Sequence, residues 1–125
     1  MAKTPLILIV EDDDLIGEFI NTVVTEILEY ESLGPVVSCK EAYETAIAKN
    51  PDLIIMDIRL IGEGDGINAA GKIRKAGFNI PIIFSSASTE NITIERADKI
   101  TNSVFLRKPY EMKDLIKEIL AFFKD

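Results

Sequence analysis

Histidine is absent from the chain, and cysteine occurs once, as Cys39. Without histidine the protein cannot use an imidazole as a general base or as a metal ligand. A single cysteine cannot form a disulfide within the chain, so the sequence favours a reducing compartment, the cytoplasm. We interpret Cys39 itself as a small buried hydrophobic residue.

Long hydrophobic runs are also missing. The first apolar run, Leu6 to Val10, has five residues, whereas about 20 are needed to cross a bilayer. Acidic residues follow this run at once, from Glu11 to Asp14, so a secretory signal does not fit either. The sequence therefore predicts neither a membrane span nor a signal peptide.

Positive charge is scarce, with 14 basic against 21 acidic side chains and a net charge of −7. Binding to a nucleic-acid backbone needs clustered cations, and so does binding to an anionic membrane surface. We expect neither kind of partner. Apolar residues make up 47% of the 125 residues, which is enough for a packed core, and this length predicts one domain over residues 1–125.

Short apolar runs alternate with segments of helical periodicity along the whole chain. The sequence predicts five strands, at 6–10, 36–37, 53–58, 80–84 and 104–106, and a turn at Gly34-Pro35. It predicts five helices, at 15–28, 41–49, 67–75, 92–100 and 112–120. The second strand is accepted only because the alternation requires it. Repeated β-α units predict an α/β fold, a doubly wound parallel sheet with helices on both faces.

Polar residues follow four of these strands, and the carboxyl ends of parallel strands lie at one edge of the sheet. Carboxylates that meet there repel one another, and a hard cation such as Mg²⁺ relieves that repulsion. With the cation bound, a carboxylate can act as a nucleophile toward a phosphoryl group, which also needs a positive charge and a hydroxyl donor. The chain offers Glu11 and Asp12 for the metal, Asp57 as acceptor, Lys108 as the charge and Ser86 as the donor.

Each of these residues also has a simpler interpretation when taken alone. The acids of 11–14 suit a helix cap, Asp57 suits a turn, and Ser86 and Lys108 suit exposed loops. Their arrival at one edge from four separate loops is what favours a site. The glycine-rich loop of 62–66 has the wrong spacing for a dinucleotide loop and carries two acids, and no P-loop motif is present.

Four motifs together resemble the receiver domain of two-component response regulators. They are the segments 7–13, 51–58 and 81–87 and the pair Lys108-Pro109. The resemblance covers essentially the whole chain. It implies a flavodoxin-like (βα)5 fold with strand order 2-1-3-4-5, and it implies phosphorylation with Mg²⁺ as cofactor.

The resemblance also assigns roles to residues by position. It implies that Asp57 is the phosphoacceptor, that Glu11 and Asp12 form the acidic pair, and that the backbone carbonyl of Arg59 is a further Mg²⁺ ligand beside Asp12 and Asp57. Ser86 and Lys108 correspond to the residues that meet the phosphoryl group. Phe105 lies where the family has an aromatic switch residue, although plain core packing accounts for it equally well.

Three departures from the family pattern concern the surroundings of the site. Ile61 stands where many members have proline, the loop after it is one residue longer than usual, and Glu11 stands where aspartate is common. Arg59 and Ser88 lie at positions that tune the lifetime of the phosphorylated state in this family. Ile61 and the longer loop affect the path of the chain after Asp57 and leave the residues that carry the chemistry unchanged.

The resemblance implies a phosphorelay function for a single-domain protein without an output domain. A histidine kinase or a phosphotransfer protein would phosphorylate Asp57, and the change would reach a partner on the face of the fourth helix, fifth strand and fifth helix. Self-catalysed phosphorylation and hydrolysis would be its only reactions. The alternative is a pseudo-receiver that binds partners without phosphate. A dehalogenase-like phosphatase is disfavoured because Arg59 occupies the place of its second aspartate.

Overall fold

The structure, a computed structural model, describes residues 3–123. It contains one five-stranded parallel sheet with strand order β2-β1-β3-β4-β5. The strands are β1 (Leu6–Val10), β2 (Glu31–Val36), β3 (Leu53–Asp57), β4 (Ile82–Ser86) and β5 (Ser103–Arg107). The α/β fold expected from the sequence and the strand order implied by the resemblance are therefore confirmed.

Five helical segments connect and follow the strands. They are α1 (Asp14–Thr22), α2 (Cys39–Lys49), α3 (Gly66–Lys75), α4 (Asn91–Asp98) and α5 (Met112–Phe122). α1 continues directly into a π-helical turn, Val23–Ile27, so the long amphipathic segment predicted there is one helix with a wider last part. Among the acids of 11–14, Asp13 caps the helix: its side chain accepts a hydrogen bond from the Ile16 N–H, at 3.0 Å.

Two hydrophobic cores lie on opposite faces of the sheet, because successive side chains of a strand point to opposite faces. β1 shows the alternation clearly: Ile7 and Ile9 belong to one core, Leu8 and Val10 to the other. The first core is closed by α1, its π-helical turn and α5, and the second by α2, α3 and α4. β3 and β4 are buried along their whole length, as strands covered on both faces must be.

The turn predicted at Gly34-Pro35 is wrong, because β2 begins at Glu31 and runs through both residues. Gly34 has a φ of +93°, and the register between β1 and β2 shifts between Leu8 and Val10, which is the signature of a bulge. Within residues 3–123, β2 pairs only with β1 and forms an edge of the sheet, where proline is tolerated.

β4 begins two residues later than predicted, after Pro81, and extends through Ser85 and Ser86. The predicted bounds, 80–84, placed both serines after the strand. They are instead its last two residues, and Ser85 pairs with Asp57 across β3 and β4. Within residues 3–123 no helix has the length and the apolar character needed to cross a membrane.

Candidate functional site

Three acidic side chains meet at the carboxyl edge of the sheet. Glu11 and Asp12 directly follow β1, and Asp57 is the last residue of β3, the strand next to it. One carboxylate oxygen from each of the three lies within 4.8 Å of the others. Glu11 and Asp57 are only 2% and 5% exposed, so their charges are poorly solvated.

Lys108 reaches this group from the end of β5. Its Nζ lies 3.0 Å from Glu11 Oε1 and 3.4 Å from Asp57 Oδ1. Its backbone N–H donates a hydrogen bond to the Ser86 carbonyl at 3.0 Å. This bond holds the backbone of Lys108 in place directly after β5. The structure therefore brings together all four of the charged residues predicted for the site, and Glu11 is the nearer partner of the lysine.

The electrostatics of this group leave Asp57 short of positive charge. Burial, followed by the hydrogen bond and the negative charge of Glu11, raises the pKa of Asp57 to about 7, and Lys108 only partly opposes this. Burial also lowers the pKa of Lys108, but the two carboxylates outweigh it and raise that pKa above its ordinary value. One ammonium therefore does not compensate two buried carboxylates.

The residues present fit a Mg²⁺ ion. All three candidate ligands are carboxylates, and Mg²⁺ prefers oxygen ligands and is commonly held by one or two carboxylates with water. Burial and the neighbouring Glu11 raise the pKa of Asp57, and a bound cation would oppose both effects by stabilising the ionised carboxylate. Arg59, whose carbonyl was expected to be a further ligand, lines the same cleft.

Ser86 borders the cleft from the neighbouring strand. The cleft has a volume of about 710 Å³ and contains the acidic group, Ser86 and Ser88 along its wall. Ser86 is 7% exposed, and its Oγ accepts a hydrogen bond from the Ser88 N–H at 3.1 Å. The Ser86 hydroxyl is therefore held by the loop that follows β4.

Phe105 lies in the middle of β5, where it pairs with Phe84 of β4. It is half-buried and packs against the core closed by α2, α3 and α4. Ser86 is two residues beyond Phe84, so by strand alternation Ser86 and Phe105 belong to the same face of the sheet. Core packing, the simpler of the two roles considered for Phe105, is thus observed, and the shared face is compatible with the switch role as well.

The loop after β3 takes a path that the sequence left open. The Ile61 N–H donates to the Val37 carbonyl at 3.2 Å, and the Ile61 side chain is 54% exposed. Gly66 then packs directly on the backbone of Asp57: its N–H donates to the Ile58 carbonyl at 2.7 Å, and a Cβ there would overlap the Asp57 carbonyl. The last part of the longer loop is therefore held against the backbone of the site by Gly66.

The sequence did not reveal two features of the site. Asp65 lines the cleft, caps α3 and forms an ion pair with Arg96 of α4, at 2.8 Å. A capping signal was present, because Asn68 follows Asp65 by three residues and completes a capping box. The pairing with Arg96 joins residues 31 positions apart and leaves no local pattern.

The second feature is a buried phenol. The Tyr110 hydroxyl has no hydrogen-bond partner among residues 3–123, and its ring centroid lies 6.4 Å from that of Phe19. Burial, with the nearby charges of Glu11 and Asp57, raises the pKa of Tyr110 far above its ordinary value. The phenol therefore stays neutral beside the acidic group.

Comparison with known proteins agrees with this geometry. The sequence profile of the response regulator receiver domain matches residues 7–120. Transcriptional regulatory protein YbdJ of Bacillus subtilis (strain 168) is 34% identical over 110 residues, covering 88% of this chain and 47% of YbdJ. Transcriptional regulatory protein PdtaR of Mycobacterium tuberculosis (strain H37Rv) is 34% identical over 113 residues, covering 90% of this chain and 54% of PdtaR.

Solved structures show the same likeness. The signal receiver domain of a modulated diguanylate cyclase from Desulfovibrio desulfuricans G20 superposes with a TM-score of 0.83 at 33% identity, covering 95% of this chain and 93% of that one. The chain spans about half the length of the two regulatory proteins it matches. On its profile match, its relatives and its fold, the chain belongs to the response regulator receiver domain family.

Proposed function

We propose that Asp57 accepts a phosphoryl group with Mg²⁺ and that this modification switches a protein-binding face. The observation that carries the proposal is the grouping of Glu11, Asp12 and Asp57 within 4.8 Å, with Lys108 Nζ 3.4 Å from Asp57. A cation-binding group, a nucleophilic carboxylate and a fixed positive charge are the parts that phosphoryl transfer needs.

The transfer is a displacement at phosphorus. An Asp57 carboxylate oxygen forms the new P–O bond, while the P–N bond to a donor histidine breaks and its electron pair returns to the imidazole, which takes up a proton. Lys108 would move its ammonium from Asp57 toward the new phosphoryl oxygens, and Ser86 would donate its hydroxyl hydrogen to one of them. Asp12, Asp57 and the backbone carbonyl of Arg59 would hold Mg²⁺, which would supply the positive charge that phosphoryl transfer needs.

The donor in this proposal is a histidine kinase or a phosphotransfer protein, as is general for the family. Movement of Ser86 toward Asp57 would vacate space beside Phe105, which belongs to the same face of the sheet. Phosphorylation would thus shift the equilibrium between two conformations of the face formed by α4, β5 and α5. The partner protein would bind this face in the phosphorylated conformation. We propose no turnover chemistry beyond self-catalysed phosphorylation and hydrolysis.

The experiment is incubation with acetyl phosphate and Mg²⁺, followed by intact-mass measurement. The protein should gain one phosphoryl adduct, and chelation of Mg²⁺ should abolish it. Asp57→Asn should gain none. Asp14→Asn is the matched control, because Asp14 belongs to the same acidic run but does not line the cleft, so that variant should be labelled like the wild type.

A pseudo-receiver, which binds partners without taking phosphate, is the second candidate. The observation that favours it is the nearer approach of Lys108 to Glu11, at 3.0 Å, than to Asp57. If that pairing persisted, the lysine would not be available to a phosphoryl group. A protein that gains no adduct from acetyl phosphate, phosphoramidate or a phosphorylated histidine donor would support this candidate and contradict the first.

A further inference from the structure

Helix α4 is held to the domain by few contacts. Ala97 is its one fully buried residue, and its N-cap, Glu90, makes no side-chain capping bond within the described chain. Arg96 adds a bidentate ion pair that anchors the helix. Its Nη1 lies 2.8 Å from Asp65 Oδ2 and its Nη2 lies 3.2 Å from Asp65 Oδ1. Such paired geometry requires both groups to be held in place.

Asp65 connects this ion pair to the acidic group. It lies in the loop that follows Asp57, it caps α3, and the next residue, Gly66, packs on the Asp57 backbone. Asp65 also lines the cleft, as do Glu90 and Thr93 at the start of α4. The ion pair therefore connects the loop between β3 and α3, which follows the proposed phosphoacceptor Asp57, to α4, the helix proposed to move.

We propose that the Arg96–Asp65 ion pair is a latch that stabilises the unphosphorylated arrangement, an inference that rests on the proposed function. Only three residues, 87–89, separate Ser86 from the N-cap of α4, so drawing Ser86 toward Asp57 displaces the start of that helix. A displacement of α4 lengthens or breaks the two contacts to Asp65. Because a contact present in only one state biases the equilibrium toward it, the latch opposes phosphorylation.

The expected size of this bias is modest. The side chains of Arg96 and Asp65 are 38% and 26% exposed, so solvent screens the pair. An ion pair of this kind biases an equilibrium by about two- to fivefold. High salt weakens it further.

The latch is tested with Arg96→Gln and Asp65→Asn, using beryllofluoride with Mg²⁺ as the phosphoryl analogue. Asparagine retains the ability to cap α3, so the second variant removes charge and not the cap. Both variants should bind the analogue about two- to fivefold more tightly than the wild type, and the double variant should gain nothing further. Lys49→Gln, an exposed lysine of α2, is the control and should leave the affinity unchanged.

The two variants change the local charge in opposite senses, which separates a latch from simple electrostatics. If the charges acted only through the field in the cleft, one variant would strengthen binding and the other would weaken it. Opposite shifts, or no shift, in a wild-type protein that does bind the analogue would overturn the latch alone. A wild type that binds no beryllofluoride would overturn the latch together with the phosphoacceptor proposal.

A second readout does not depend on the analogue. Amide hydrogen exchange in α4 should be faster in both variants than in the wild type and in Lys49→Gln, since the contact that anchors the helix is gone. Exchange that stays at the wild-type rate in both variants would contradict the anchoring on which the latch depends.

Discussion

Lys108 Nζ lies 3.0 Å from Glu11 Oε1, so a residue after the last strand is paired with a residue after the first. The pair spans the carboxyl edge of the sheet and places the ammonium 3.4 Å from Asp57 as well. One cation is thus shared between two buried carboxylates. This shortage of positive charge governs how the site should respond to metal, to pH and to substitution.

Removal of the lysine charge should affect metal binding and phosphorylation in opposite directions. In Lys108→Met the carboxylates lose their internal cation, so Mg²⁺ should bind more tightly, by about threefold or more. Phosphorylation by acetyl phosphate should slow by about 100-fold, because the positive charge facing the phosphoryl oxygens is gone. Isothermal titration with Mg²⁺ and the rate of adduct formation measure the two effects, and weaker Mg²⁺ binding would contradict this account of Lys108.

The pKa of Asp57 makes stability depend on pH when Mg²⁺ is chelated. That pKa is raised from 3.8 to about 7 in the folded protein, so the folded state holds the proton more tightly than the unfolded state does. The resulting stabilisation is complete below about pH 4 and is lost as the pH rises through 7.

Asp57→Asn should remove this dependence, because an amide does not titrate. Between pH 4 and pH 8 the wild type should lose about 1–3 kcal/mol of unfolding free energy relative to the variant. Urea denaturation at the two pH values measures the difference, in which the titration of groups distant from Asp57 cancels. Parallel pH profiles for the two proteins would show that Asp57 is not desolvated as described.

Mg²⁺ should stabilise the folded protein, since the ligand group exists only when β1 and β3 are paired. At a Mg²⁺ concentration 100 times its dissociation constant, the gain is about 2.7 kcal/mol. Thermal unfolding with and without Mg²⁺ measures it. The gain should fall sharply in Asp12→Asn and persist in Asp14→Asn, and a similar gain in both would place the ion elsewhere.

Gly66 should tolerate no side chain, because a Cβ there would overlap the Asp57 carbonyl and lie 2.8 Å from Met56 Cγ. We expect Gly66→Ala to destabilise the protein by about 2 kcal/mol or more and to weaken Mg²⁺ binding, since the loop must move. Gly71→Ala in the same helix is the control: it meets no atom within 4 Å and should be neutral or slightly stabilising. Equal unfolding free energies for the two variants would contradict the packing of this loop.

The parts of the fold that the sequence predicted well are those governed by local periodicity. β1 was predicted with its observed bounds, Leu6–Val10, because a short continuous apolar run that ends at a cluster of acids is typical of a buried strand. β2 was predicted poorly because its side chains are largely exposed or half-buried. A bulged edge strand carries no alternating pattern, and Gly34-Pro35 is a common turn signal.

The candidate site divides in the same way. The ends of apolar runs predict where strands end, and so the sequence alone predicts that Glu11, Asp12, Asp57 and Lys108 lie at the same edge of the sheet. The Asp65–Arg96 pair and the buried Tyr110 hydroxyl depend on how loops and helices pack across long separations in the chain. Such contacts have no period and no spacing rule, and only the folded structure reveals them.

The central claim, that the carboxylate of Asp57 receives the phosphoryl group, is tested most directly by locating the adduct. Borohydride reduces an aspartyl phosphate to an alcohol and so converts that residue to homoserine, which peptide mass spectrometry can place. After treatment with acetyl phosphate and Mg²⁺, the account predicts homoserine at position 57 and at no other position. Conversion at another acidic residue, or at none in a protein that retains its fold, would contradict it.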